Sequence, residues 1–185
     1  KLYAHWITIN YREAYKIFAV NGILFNHESP RRGETFVTKK IVKALCRIKV
    51  KKQKKLYLGN IYAKRDWGHA EDYVKAMWKI LQYKKPEDFV ICTGKQYSIK
   101  QFINMVAKEL KMQISWKGSG LGEKAVDSNG KVIIEVKKEY FRPADVETLI
   151  GNASKAKKLI KWKPTHNIKT LIKDMVDYEL KNLNQ

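Results

Sequence analysis

The chain has 185 residues, 44% of them apolar, with five Trp, ten Tyr and six Phe. This composition supports a packed core, argues against disorder, and contains no apolar run of membrane-spanning length. The formal charge of +20 invites a nucleic-acid reading, but only six of the 38 basic residues are Arg, and the lysines are spread over every segment as a solvated bias.

In chain order, residues 1–17 predict an amphipathic helix, with Leu2, Trp6 and Ile9 at helical spacing and Tyr3, Ile7 and Ala14 widening the stripe. Residues 18–25 are apolar on both parities, as in a strand covered on both faces. The polar stretch NHESPRRG follows. A helix is predicted over 36–48, starting near Glu34 or Thr35. The run KVKKQKK reads as an exposed turn, and 55–58 as a short strand ending at the turn pair Gly59-Asn60. Residues 67–83 predict a helix whose face carries Ala70, Tyr73, Val74, Met77, Trp78 and Leu81, with Asp66 placed to cap it. EDFVICT, at 87–93, is a second buried strand closed by Gly94.

Ser98 caps a predicted helix over 99–110 that aligns Phe102, Ile103, Val106 and Leu110. A short strand at 114–116 precedes GSGLGEKAVDSNG, read as a loop with glycine turns, and 132–136 is a strand. Arg142-Pro143 breaks the chain, Asn152 or Ser154 starts a helix over 155–161, and 168–183 closes with a helix. Alternating buried strands and amphipathic helices define an α/β class with a parallel sheet. Cys46 and Cys92 lie far apart in apolar contexts, so the expectation is two buried free thiols in a reducing, cytoplasmic compartment. No signal peptide opens the sequence.

Ligands of parallel α/β sheets collect at the carboxyl ends of strands, and NHESPRRG sits at such an end. Arg31 and Arg32 offer bidentate forks suited to phosphate oxygens. His27 has no partner evident from spacing. Arg65-Asp66-Trp67 and the pair Arg142 and Glu147 in YFRPADVE form two further polar clusters, which a capped helix and a simple ion pair would also explain. HExxH, GxSxG and a strand-borne GxGxxG are all missing from the sequence, and no metal-ligand spacing occurs. On spacing alone, the chain is a sugar- or nucleotide-binding part of an α/β enzyme.

LFNHESPRRGETFVTKKI, LGNIYAKRDWGHAEDYVKAMW and EYFRPADVE, in this order and followed by WKP, closely resemble the GDP-mannose 4,6-dehydratases of the extended short-chain dehydrogenase/reductase superfamily. The resemblance implies the C-terminal part of an NADP-binding Rossmann domain plus a smaller mixed α/β lobe for the sugar nucleotide. Residues 1–30 would end the Rossmann domain. Residues 31–185 would be mainly the lobe, with 67–97 returning a helix and a strand to the Rossmann sheet. The implied reaction removes water from GDP-mannose and leaves GDP-4-keto-6-deoxymannose, with NADP doing the redox work.

In the same way, KLYAHW implies that Lys1 is the catalytic lysine of a YxxxK motif and holds the nicotinamide ribose. The motif's Tyr would fall four residues ahead of Lys1, and the family's catalytic Thr and Glu also lie outside the sequence shown. His27 and Arg32 would contact NADP. Asn26, Val37, Lys40, Leu58, Gly59, Arg65, Arg142 and Glu147 would contact the sugar nucleotide. Where relatives carry FVTRK this chain has FVTKK, so Lys39 keeps a charge but loses a fork. A homodimer or homotetramer is implied, with no nucleic-acid or membrane partner. The alternatives are another sugar-nucleotide epimerase or dehydratase of the superfamily, or a basic non-catalytic binding module.

Overall fold

A computed structural model describes residues 1–142 and 144–183. The elements run α1 (Leu2–Tyr15), β1 (Gly22–Leu24), β2 (Asn26–Glu28), α2 (Val37–Lys49), β3 (Leu56–Leu58), β4 (Lys64–Arg65), β5 (Trp67–His69), α3 (Ala70–Leu81) and β6 (Phe89–Ile91). They continue with β7 (Tyr97–Ser98), α4 (Ile99–Glu109), β8 (Ile114–Lys117), β9 (Lys124–Asp127), β10 (Val132–Val136), α5 (Ser154–Leu159) and α6 (Ile168–Leu183). The class is mixed α/β, as expected. The chain forms two compact units: Lys1–His27, Asp66–Lys95 and Ile150–Asn167 in the first, Glu28–Arg65, Gln96–Leu149 and Ile168–Gln185 in the second.

The first unit is built on a parallel pair, β1 with β6, in the register Gly22–Phe89, Ile23–Val90 and Leu24–Ile91. Its core joins Tyr73, Ala76 and Ile80 of α3 to Phe89 and Ile91, and to Ala156, Ile160 and Trp162 around α5. Residues 150–167, grouped with the second lobe from sequence, therefore fold into this unit.

Four expectations in this unit are corrected. Residues 67–69 are a strand paired with β2, so α3 starts at Ala70. Asp66 does not cap α3; the cap is His69, whose Nδ1 accepts the Glu71 N–H at 3.2 Å. The buried stripe of α3 is Asp72, Tyr73, Ala76 and Ile80, and Val74, Met77, Trp78 and Leu81 are exposed, Trp78 by 64%. The physical cause lies across the helix: Trp162 Nε1 donates to the Asp72 carbonyl at 2.9 Å, which turns the Asp72 side inward. Finally, α1 has its predicted extent but buries none of its residues, and Ile23 of β1 is exposed on its outer face.

In the second unit, β3, β10, β9 and β8 form one sheet in that order, parallel between β3 and β10 and antiparallel elsewhere. Three helices pack together: Ile41, Val42 and Leu45 of α2, Phe102, Ile103 and Val106 of α4, and Leu171, Ile172 and Met175 of α6 are all buried. Each such side chain contributes about 1.5–3 kcal/mol of apolar burial. Ser98 caps α4 as expected and forms a full capping box with Gln101. The loop expected over 118–130 contains β9, whose Ala125 and Val126 are buried. Both cysteines are buried free thiols, and burial pushes Cys46 up to about 12 and Cys92 up to about 11. No described helix is long and apolar enough to cross a membrane.

Candidate functional site

In the first unit, the parallel pair runs one bond past β1: the Phe25 N–H donates to the Ile91 carbonyl at 3.0 Å. Asn26 and His27 therefore begin just beyond the carboxyl end of β1, where α/β sheets present ligand-binding groups. His27 Nδ1 lies 2.8 Å from the Phe25 carbonyl, and its ring stacks on Tyr73 with centroids 4.9 Å apart. A carbonyl partner requires the proton on Nδ1, which leaves Nε2 as the acceptor edge of the neutral ring. Lys1 is exposed at the start of α1 and makes no capping bond there.

Asp66 has a role that its position before a helix concealed. Its carboxylate accepts the Thr93 N–H at 2.9 Å, the Thr93 hydroxyl at 2.6 Å and the Gly94 N–H at 2.8 Å. It thus fixes the turn after β6 at the same sheet edge. A second cluster also went unnoticed from sequence: His69, Glu71 and His166 bring their ligand atoms within 4.8 Å of one another. The two imidazoles stack with centroids 4.2 Å apart and planes at 20°. A metal ion must lie near the plane of each ring it binds, so rings stacked face to face cannot converge on one ion at about 2.0–2.1 Å. His166 instead serves Asp72, whose buried carboxylate accepts its backbone N–H at 2.9 Å and that of Thr165 at 3.0 Å.

In the second unit, the part of NHESPRRG after β2 is a tightly turned loop. The Arg31 N–H donates to Ser29 Oγ at 3.2 Å and the Arg32 N–H to the Ser29 carbonyl at 3.0 Å. Glu28, 2% exposed, accepts the Thr38 hydroxyl at 2.6 Å and lies 3.1 Å from Arg32 Nε. The Arg32 guanidinium carbon sits 3.5 Å over the Phe36 ring. Lys39, whose substitution for Arg put a ligand contact in question, is buried. Its ammonium donates to the Pro30 carbonyl at 2.7 Å and to Glu179 of α6.

The residues expected at the sugar nucleotide form two groups here. Phe36, not Glu34 or Thr35, occupies the cap position of α2 and offers no side-chain acceptor, so the first-turn N–H groups starting at Val37 lack a cap. Lys40 reaches from this turn to the Tyr57 carbonyl at 2.9 Å and lies over the Tyr140 ring, and burial lowers its pKa. The Lys137 N–H donates to the Leu58 carbonyl at 2.8 Å. Gly59 packs against the backbone of residue 140: an added Cβ would stand 2.1 Å from the Tyr140 oxygen. Val37, Lys40, Leu58 and Gly59 thus frame one region.

Arg65 and Glu147 form the other group. The Lys64 N–H donates to the Glu147 carbonyl at 2.8 Å and the Leu149 N–H to the Lys64 carbonyl at 3.1 Å, which docks 147–149 alongside β4. Arg65 pairs with Asp145 at 2.6 Å and donates to the Val146 carbonyl. Asp145 is thus a carboxylate partner of Arg65, and the sequence held no signal for this pairing. Arg142 and Glu147 are exposed, and Pro143 lies outside the described residues. An open groove between α4 and β8, lined by Asn104, Lys108, Lys111 and Trp116, contains none of the expected residues.

The fold is that of sugar-nucleotide dehydratases and epimerases. A Pseudomonas aeruginosa protein named RMD, complexed with NADPH, superimposes with a TM-score of 0.80 at 19% identity, over 98% of this chain and 54% of that one. A dTDP-glucose 4,6-dehydratase from Bacillus anthracis in complex with NAD gives 0.75 at 19% identity, over 97% and 50%.

Residues 1–175 match the model of the GDP-mannose 4,6 dehydratase family, and the chain belongs to that family. GDP-mannose 4,6 dehydratase 2 of Caenorhabditis elegans is 52% identical over 95% of this chain and 46% of its own length. The GDP-mannose 4,6-dehydratase of Vibrio cholerae serotype O1 is 51% identical over 97% and 51%. The chain spans about half the length of the curated relatives it matches.

Proposed function

We propose that this chain supplies the sugar-nucleotide-binding part, and the end of the cofactor-binding part, of an NADP-dependent GDP-mannose 4,6-dehydratase, a lyase. The observation that carries this reading is the family match over residues 1–175. Taken each within its own unit, two residues suit a dinucleotide: Arg32 has both η nitrogens without a hydrogen bond or ion pair among the described residues, and His27 uses only Nδ1 in its hydrogen bond. The bound cofactor would supply hydride removal and return during loss of water.

The chain's own residues bind and orient. Arg32 holds a cofactor phosphate, His27 offers its Nε2 edge to the cofactor, and Lys1 contacts the nicotinamide ribose. The uncapped first turn of α2, with Val37 and Lys40, receives the sugar nucleotide's anionic end. Asn26 contacts the same ligand, and Leu58 and Gly59 line its guanine. Arg65 and Arg142 grip the diphosphate, exchanging the Asp145 contact of Arg65 for a doubly charged acceptor. Glu147 meets the GDP ribose or base. The buried free thiols support a reducing, cytoplasmic setting, and the product would enter GDP-fucose synthesis. A homodimer or homotetramer accompanies the reading.

The test uses the full-length protein. GDP-mannose should lose one water while NADP is retained, and GDP-glucose and UDP-glucose should compete poorly. Arg65→Ala should weaken GDP-mannose binding by about tenfold or more, the cost of one charge-assisted contact, and leave NADP binding nearly intact. Equal loss of both ligands would count against the assignment. Turnover of UDP-glucose in preference would replace it with a sister epimerase or dehydratase.

A further inference from the structure

The NHESPRRG loop contains two arginines, and only Arg32 is held from two sides. Its Nε is buried beside the Glu28 carboxylate at 3.1 Å, and its guanidinium carbon lies 3.5 Å over the Phe36 ring. Glu28 is in turn fixed by the Thr38 hydroxyl at the first turn of α2. The ring constrains the plane of the guanidinium; Nε makes no hydrogen bond, so the Glu28 carboxylate draws that edge inward by charge alone. Neither η nitrogen makes a hydrogen bond or ion pair among the described residues, and 24% of the side chain is accessible. With Nε buried, that accessible area belongs to the remaining atoms.

We propose that Glu28 and Phe36 are positioning residues that preset the Arg32 guanidinium with its η edge toward an incoming phosphate. This inference rests on the reading above, in which Arg32 binds the phosphate-bearing cofactor. A long arginine side chain ordinarily loses rotamer freedom when a ligand arrives; here that loss occurs on folding, so binding is correspondingly tighter. Electrostatics alone gives the opposite sign for Glu28. Its negative charge partly cancels Arg32, so removing it would tighten anion binding if charge were all that mattered.

The experiment is a fluorescence titration of the full-length protein with NADPH, comparing wild type, E28Q, F36L, R32M and the doubles E28Q/R32M and F36L/R32M. R32M should bind about tenfold more weakly, as expected for one charge-assisted contact. E28Q and F36L should each weaken binding several-fold, and neither double should be weaker than R32M alone, because each positioning residue acts through Arg32. Folding is checked by thermal melting. Phe36 is already exposed, so F36L decides the matter if E28Q fails to fold. Unchanged or tighter binding by the folded variants, or losses that multiply in the doubles, overturns the proposal. A wild type that ignores NADPH, or an R32M that binds as wild type does, instead overturns the cofactor reading, and the proposal falls with it.

Discussion

Lys39 and Glu179 lie 140 positions apart, yet their side chains meet in the second unit with exposures of only 6% and 8%. Glu179→Ala leaves the Lys39 ammonium buried with the Pro30 carbonyl as its remaining acceptor. Removing one partner of a buried ion pair costs about 3–5 kcal/mol, because the survivor keeps its desolvation penalty and loses its compensation. A loss of about 4 kcal/mol corresponds to about a thousandfold faster exchange of globally protected amides. Hydrogen exchange by mass spectrometry should therefore show this acceleration in peptides covering α2 and α6. Lys39→Met should do the same and should add about 1 kcal/mol for the lost bond to Pro30. The double variant Lys39→Met with Glu179→Leu should return to within about tenfold of wild type, since apolar groups of similar volume replace buried pairs at little cost. An acceleration of less than about tenfold in Glu179→Ala would mean that the carboxylate is hydrated, and would refute the reasoning from burial.

Gly59→Ala would drive a Cβ to 2.1 Å from the Tyr140 carbonyl oxygen, a backbone atom that cannot swing aside. It should cost about 1–3 kcal/mol in a thermal melt and weaken GDP-mannose binding. Asp72 gives a pH dependence. Burial acts against its charge, but hydrogen bonds from Thr165 and His166 outweigh burial and hold its pKa below the usual value. A depressed carboxylate stabilises the fold above its unfolded pKa of about 3.9, and that contribution is lost as pH falls through the lower folded value. Wild type should therefore exceed Asp72→Asn in urea stability near pH 6, and the difference should shrink below about pH 4.

Local chemistry made α4 legible: Ser98, Gln101 and the apolar positions Phe102, Ile103 and Val106 all lie within three turns of one another. The same holds for α2, α6 and the two buried thiols. The polar character of NHESPRRG after an apolar strand also marked its loop as a site candidate without coordinates. Resemblance, not spacing, assigned most individual residues of the site.

What the tertiary structure decided depends on partners distant in sequence. Trp67–His69 reads as the start of a helix because its neighbours are helical, but pairing with β2 makes it a strand. Periodicity marked an apolar face on α3 at Ala70, Tyr73, Val74, Met77, Trp78 and Leu81, of which Tyr73 is buried and the last four are exposed. Packing against β6 and Trp162 kept Tyr73 and added Asp72, Ala76 and Ile80 to the buried side. Asp66 resembled a cap and serves the turn after β6. Arg65 pairs with Asp145, 80 positions on, and Lys39 with Glu179 on the last helix. A sequence sets which groups want burial or a counter-charge; only the folded chain brings the partner within hydrogen-bonding distance, and that distance fixes the role.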